Sequence, residues 1–170
     1  RAIWLLAALG PKGLEKVENI LIKNTSKPAT KVGTSSEIVI TAYRALRKSG
    51  KNLQEINHTL LRYSLPPALL REIAIGLRDL NYQDSKESLL HIAAKVSSID
   101  PYLLTALGIG VDEKRELFYA DYVKKLPVNP LHLSAAQSSI LWELHPNASI
   151  NLIKKRAQSA SLSVNQRKEA

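Results

Sequence analysis

A small residue followed by leucine returns along this chain at a spacing that narrows the folds open to it. The pairs are Ala8-Leu9, Ala45-Leu46, Gly76-Leu77 and Ala106-Leu107, and Glu143-Leu144 takes the fifth place without the small residue. Their leucines stand 37, 31, 30 and 37 residues apart. Each interval holds one further amphipathic segment, so the repeating unit is a helix–turn–helix of roughly 30–40 residues, at the short end of the HEAT range. A lone helical hairpin cannot cover its apolar face, whereas stacked hairpins bury a continuous core. A small side chain beside the leucine lets the adjacent helix come close.

Helical periodicity runs through the rest of the chain, and no segment alternates as a half-buried strand would. Leu14, Val17, Ile20 and Leu21 share a face after the Gly10-Pro11-Lys12-Gly13 turn. Residues 37–48 place Ile38, Ala42, Ala45 and Leu46 together, and Leu53, Ile56, Leu60 and Leu61 do the same before the break at Pro66-Pro67. Leu69, Leu70, Ile73, Ala74 and Leu77 follow, then Leu89, Leu90, Ala93 and Val96. Asp100-Pro101 reads as an N-cap with proline in the first turn, opening the helix of residues 102–107. Residues 115–126, 134–144 and 148–157 complete the pattern, with Pro127 and Pro146 as stops. Hydrophobic residues are 45% of the 170, but aromatics only 5%, so the core rests on Leu, Ile, Ala and Val in close-packed helices. The expected fold is all-α: a right-handed α-α superhelix of HEAT-like hairpins, an armadillo-like solenoid. It is expected to form a single domain over residues 1–170, built of about five hairpins.

The chain opens without an initiator methionine and runs directly into apolar sequence, and residues 164–170 read as the start of another helix. It is therefore expected to be a fragment of a larger protein, incomplete at both ends. The first helix, Ile3-Trp4-Leu5-Leu6, is apolar nearly all round. Its outer side is expected to pack on a missing neighbour or, in isolation, on another copy of the chain. Residues 2–9 are too short to span a bilayer and carry no signal-peptide pattern. Cysteine is absent, which removes disulfides, thiolate zinc sites and c-type haem attachment within these residues.

Residue types that carry chemistry are present but not in catalytic patterns. His58, His91, His132 and His145 form no H-E-x-x-H pair and no helical-turn pair. His91, inside an apolar run, reads as a hydrogen-bonded packing residue, and His145 as a favourable charge at a helix C-terminus. Asp79, Asp84 and Glu87 read as capping groups around one turn, and Asp112, Glu113 and Glu116 as complements to the next helix dipole. No G-x-S-x-G, P-loop or dinucleotide fingerprint occurs, and Gly108-Ile109-Gly110 is a turn after a helix. No catalytic, cofactor-binding or metal-binding residue is assigned, and no cofactor is expected in this fragment.

A formal charge of +9 suits nucleic acid, anionic lipid or an acidic protein face. The basic clusters are Lys23, Lys27 and Lys31 around one long loop, Lys124-Lys125, and Lys154-Lys155-Arg156. Lying in different repeats and interleaved with acids, they read as solvated helix faces before they read as a phosphate-binding stripe. Trp4 and Trp142 are assigned to core or inter-repeat packing rather than base stacking. Sequons occur at Asn24, Asn57 and Asn147.

Several of these helices together carry a family resemblance. Leu70-Arg71-Glu72-Ile73-Ala74-Ile75-Gly76-Leu77-Arg78-Asp79 resembles the "REvAlaLRD" helix of the planctomycete-type membrane-bound, haem-binding dehydrogenases. The segment from Tyr102 to Gly110 resembles their "YLeALGIaadgRE" stretch, and Trp142-Glu143-Leu144-His145-Pro146 their "WrLHPp" stretch. Arg1-Ala2-Ile3-Trp4-Leu5-Leu6 is similar to their "RAvWLLarL" helix, and the order is kept over residues 1–157. Asp112-Glu113-Lys114-Arg115 departs from the family's Gly-Arg-Glu turn, and Asn147 stands where a second proline is frequent. The resemblance implies a HEAT-like connector between a β-propeller dehydrogenase domain and a cytochrome c domain, within an exported or periplasmic bacterial parent. It brings no catalytic residue to this chain.

The expected function is therefore a non-catalytic scaffold or protein-interaction module whose partners are the neighbouring domains of the parent chain or another protein. The alternative, suggested by the charge, is a basic HEAT-like nucleic-acid-binding module, with or without glycosylase activity.

Overall fold

The computed structural model describes residues 1–25, 34–97 and 100–168, and all regular structure among them is helical. The chain divides into two compact units, Arg1–Gly76 and Leu77–Ala170. The first holds α1 (Ala2–Ala8), α2 (Pro11–Thr25), α3 (Thr34–Lys48), α4 (Gln54–Leu60) and α5 (Pro67–Gly76). The second opens with a 3-10 turn, Leu77–Asp79, and continues with α6 (Tyr82–Ala93), α7 (Pro101–Val111), α8 (Arg115–Tyr122), α9 (Ala135–Leu144), α10 (Ile150–Ala157) and α11 (Val164–Lys168). Among the described residues no helix is long and apolar enough to cross a membrane.

Helix starts follow local chemistry. Asp100 accepts from the Leu103 amide at 3.2 Å with Pro101 at the first position, as its sequence implies. Asn81, not one of the neighbouring carboxylates, caps α6: its side chain accepts from the Asp84 amide and donates to the Asp84 carboxylate. Ser134 and Gln137 form a capping box at α9. The Gly10–Gly13 stretch is only partly a turn. Gly10 takes the positive φ of +81° that ends α1, while Pro11, Lys12 and Gly13 already belong to α2. Gly13 has a packing reason to lack a side chain, since a Cβ there would stand 1.9 Å from the Leu6 carbonyl oxygen.

In the first unit α1 packs on α2 and α3, α2 on α3, and α3 on α5. The buried stripe of α3 is Val39, Ala42, Tyr43 and Leu46, with Ala45 beside it, one residue on from an expected start at Ile38. In the second unit α6 packs on α7 and α8, α7 on α9, and α10 on α11. Leu46, Leu77 and Leu107 are wholly enclosed and Leu144 nearly so. Gly76 lies against α3, where a Cβ would meet the Tyr43 hydroxyl at 2.6 Å.

Leu9 breaks the series: it is 74% exposed. The reason is the side on which α1 docks. Ile3, Leu6 and Ala7 are half-buried, which leaves Leu5 and Leu9, four residues apart, on the opposite face.

Candidate functional site

Among the described residues a polar constellation joins α6 to α8. The Asp121 carboxylate accepts from the Tyr82 hydroxyl at 2.9 Å and pairs with Lys86 at 2.9 Å and Lys124 at 2.7 Å. Lys124, then Lys86 and Tyr82, hold its carboxyl well below the ordinary carboxylate range. Burial, reinforced by Asp121, pushes the Tyr82 phenol well above its usual range. A carboxylate kept ionised by three donors is a poor proton carrier at neutral pH, so the cluster works as a clamp between helices.

Lys114 makes a second long-range tie. Its ammonium donates to the carbonyl oxygens of Leu77 at 2.6 Å and Leu80 at 2.9 Å, the first residue of the 3-10 turn and the residue just after it. Burial lowers its pKa, while Asp112 and Asp79 act the other way. Glu116, expected only to complement a dipole, also accepts from the Asn147 amide at 2.7 Å.

A recess between α9 and α10 is lined by Leu133, Ser138, Leu141, Trp142, Ile153 and Arg156, with about 200 Å³ of empty space that merges with open solvent. Its interior has no room for even a water molecule, so it is a packing crevice rather than a ligand chamber. Arg156 is only 3% exposed, which corrects its place in a solvated basic face; Lys154 and Lys155 beside it are exposed. Trp142 corrects in the other direction. It is 62% exposed, at the edge of the crevice, with the His145 ring edge-on at 5.9 Å.

The remaining sequence candidates are dispersed. His58, His91, His132 and His145 are all exposed, so His91 has no enclosed packing role; α6 turns it away from Leu89, Leu90 and Ile92. Among the described residues no three His, Cys, Asp or Glu side chains converge as a metal site. Lys23 lies on α2, not in a loop, and Lys27 and Lys31 lie outside the described residues. Asn57 is fully buried and accepts from the Tyr43 hydroxyl at 3.0 Å, so its sequon has no access to a modifying enzyme.

Comparisons with protein-family models, with curated proteins and with solved structures return no match.

Proposed function

We propose that this chain is a helical-repeat scaffold, a HEAT-like array of hairpins that holds protein neighbours in register. The observation that carries the reading is skip-one packing inside each unit: α1 on α3 and α3 on α5 in the first, α6 on α8 and α7 on α9 in the second. Stacked hairpins make such contacts because each first helix lies beside the first helix of the next hairpin, and each second helix beside the next second helix. The burial of Leu46, Leu77, Leu107 and Leu144, three of them beside a small residue, supports the same reading.

The family resemblance extends the proposal to a connector between a propeller dehydrogenase domain and a cytochrome c domain. Reading the coding sequence on both sides of this segment tests that extension. A propeller upstream and a Cys-x-x-Cys-His segment downstream are expected; unrelated flanks on both sides overturn it. The nucleic-acid reading loses two of the cations it was built on, since Lys124 is bound to Asp121 and Arg156 is buried.

A further inference from the structure

The first helix is out of keeping with the rest of the molecule. No residue of α1 is buried, and within this short element and its C-cap Trp4 is 40%, Leu5 69% and Leu9 74% exposed. The other exposed large apolar side chains, such as Leu117, Val128, Ile150 and Val164, are spread over separate segments. Scattered apolar residues are normal on a surface, but a cluster on one short helix marks a contact face.

The surroundings of that face are basic. Arg1 precedes α1, Lys12 follows the Gly10 turn, and the Lys48 ammonium lies 5.9 Å from the centre of the Trp4 ring. The first acidic residue along the chain is Glu15. Residues 1–76 carry 12 of the 24 lysines and arginines but only 5 of the 15 acidic residues. Of those acids, Glu18 is paired with Lys51 and Glu72 with Arg44.

We propose that the α1 face is a docking surface for an anionic lipid bilayer, with Leu5, Leu9 and Trp4 entering the interface and Arg1, Lys12 and Lys48 meeting the headgroups. Exposed apolar side chains with Lys48 over Trp4, and with Arg1 and Lys12 flanking α1 in the sequence, match a surface whose charge lies outside and whose hydrocarbon lies within. A phosphate polymer fits less well, because Leu5 and Leu9 gain nothing from phosphates. A second copy of the chain fits less well too: it would bring Arg1, Lys12 and Lys48 against their own kind. A few side chains on a two-turn helix also fall short of the ~1,200 Å² typical of a stable interface.

The test is co-sedimentation of the 170-residue chain with phosphatidylcholine vesicles, neutral or containing about one-third phosphatidylglycerol. Emission of Trp4 is followed in a Trp142→Phe background, which leaves it as the sole tryptophan. The expected result is association with anionic vesicles and a blue shift of Trp4. Binding should fall at least ~tenfold in Leu5→Asp/Leu9→Asp, in Lys12→Glu/Lys48→Glu, and in about 0.5 M salt. Leu5 and Leu9 are exposed, so the first double variant should unfold at the temperature of the parent. No vesicle association, or association that the Leu5/Leu9 variant leaves unchanged, overturns the proposal. So does a chain that ignores vesicles but dimerises through α1 or binds single-stranded RNA.

Discussion

Three donors meet at the Asp121 carboxylate: the Tyr82 hydroxyl and Lys86 from α6, and Lys124 from the turn that follows α8. The folded carboxyl titrates well below the ordinary value, so the sign of its contribution is set. The ionised form stabilises the fold above the unfolded pKa of about 3.9, and that stabilisation is lost as pH falls toward the depressed folded value. Asp121→Asn should therefore lower the melting temperature at pH 7. The gap to the parent should narrow as pH drops below about 4, measured by thermal unfolding across pH. A gap that stays constant into acid would show that charge is not what the clamp supplies. The sequence does not mark Asp121, because Tyr82 and Asp121 are 39 residues apart and neither sits in a recognisable motif. The sequence puts Arg156 on a solvated face for a related reason. Its neighbours Lys154 and Lys155 are exposed, and only the position of α9 shows that the third cation of the run turns inward.

At the scale of elements, the recurrent leucines separate into two kinds. Leu77→Ala removes a wholly enclosed side chain and should cost about 2–5 kcal/mol through lost transfer energy plus a cavity. Leu9→Ala removes an exposed one and should stay within about 0.5 kcal/mol. Urea unfolding of the two variants reads both numbers, and equal effects would contradict the docking of α1 through Ile3, Leu6 and Ala7. Lys114 is the other element-scale feature, in the 3-10 turn between α7 and α8. Its ammonium adds a donor to the Leu77 carbonyl oxygen, which also accepts from the Leu80 amide, and reaches the Leu80 carbonyl oxygen just past the 3-10 turn. Lys114→Met keeps most of the apolar stem but removes these donors, and should destabilise the second unit by ~1–3 kcal/mol. Faster amide exchange around residues 77–80 is the accompanying sign; unchanged exchange there would mean that water replaces the ammonium at no loss.

At the scale of the molecule, the purified chain is expected to hold neither haem nor a divalent metal at stoichiometric amounts. The absence of cysteine and the dispersal of His58, His91, His132 and His145 are the grounds for this expectation. Absorbance in the haem region and elemental analysis check it, and a stoichiometric ligand in either would require convergence that these side chains do not show. The all-α fold and many of the helix boundaries were legible in the sequence because their causes are local. Periodicity marks the apolar faces of α3 and α5, and Asp100-Pro101 carries its own start signal. What only the tertiary structure decided is which apolar face finds a neighbour. Trp4 and Trp142 looked like core residues and Leu9 like one of a buried series, since hydrophobicity reports what a side chain would gain from burial. Whether it is buried depends on where a helix distant in sequence comes to lie. For Leu9 that was settled when α1 met α2 and α3 through Ile3, Leu6 and Ala7, leaving Leu5 and Leu9 in water.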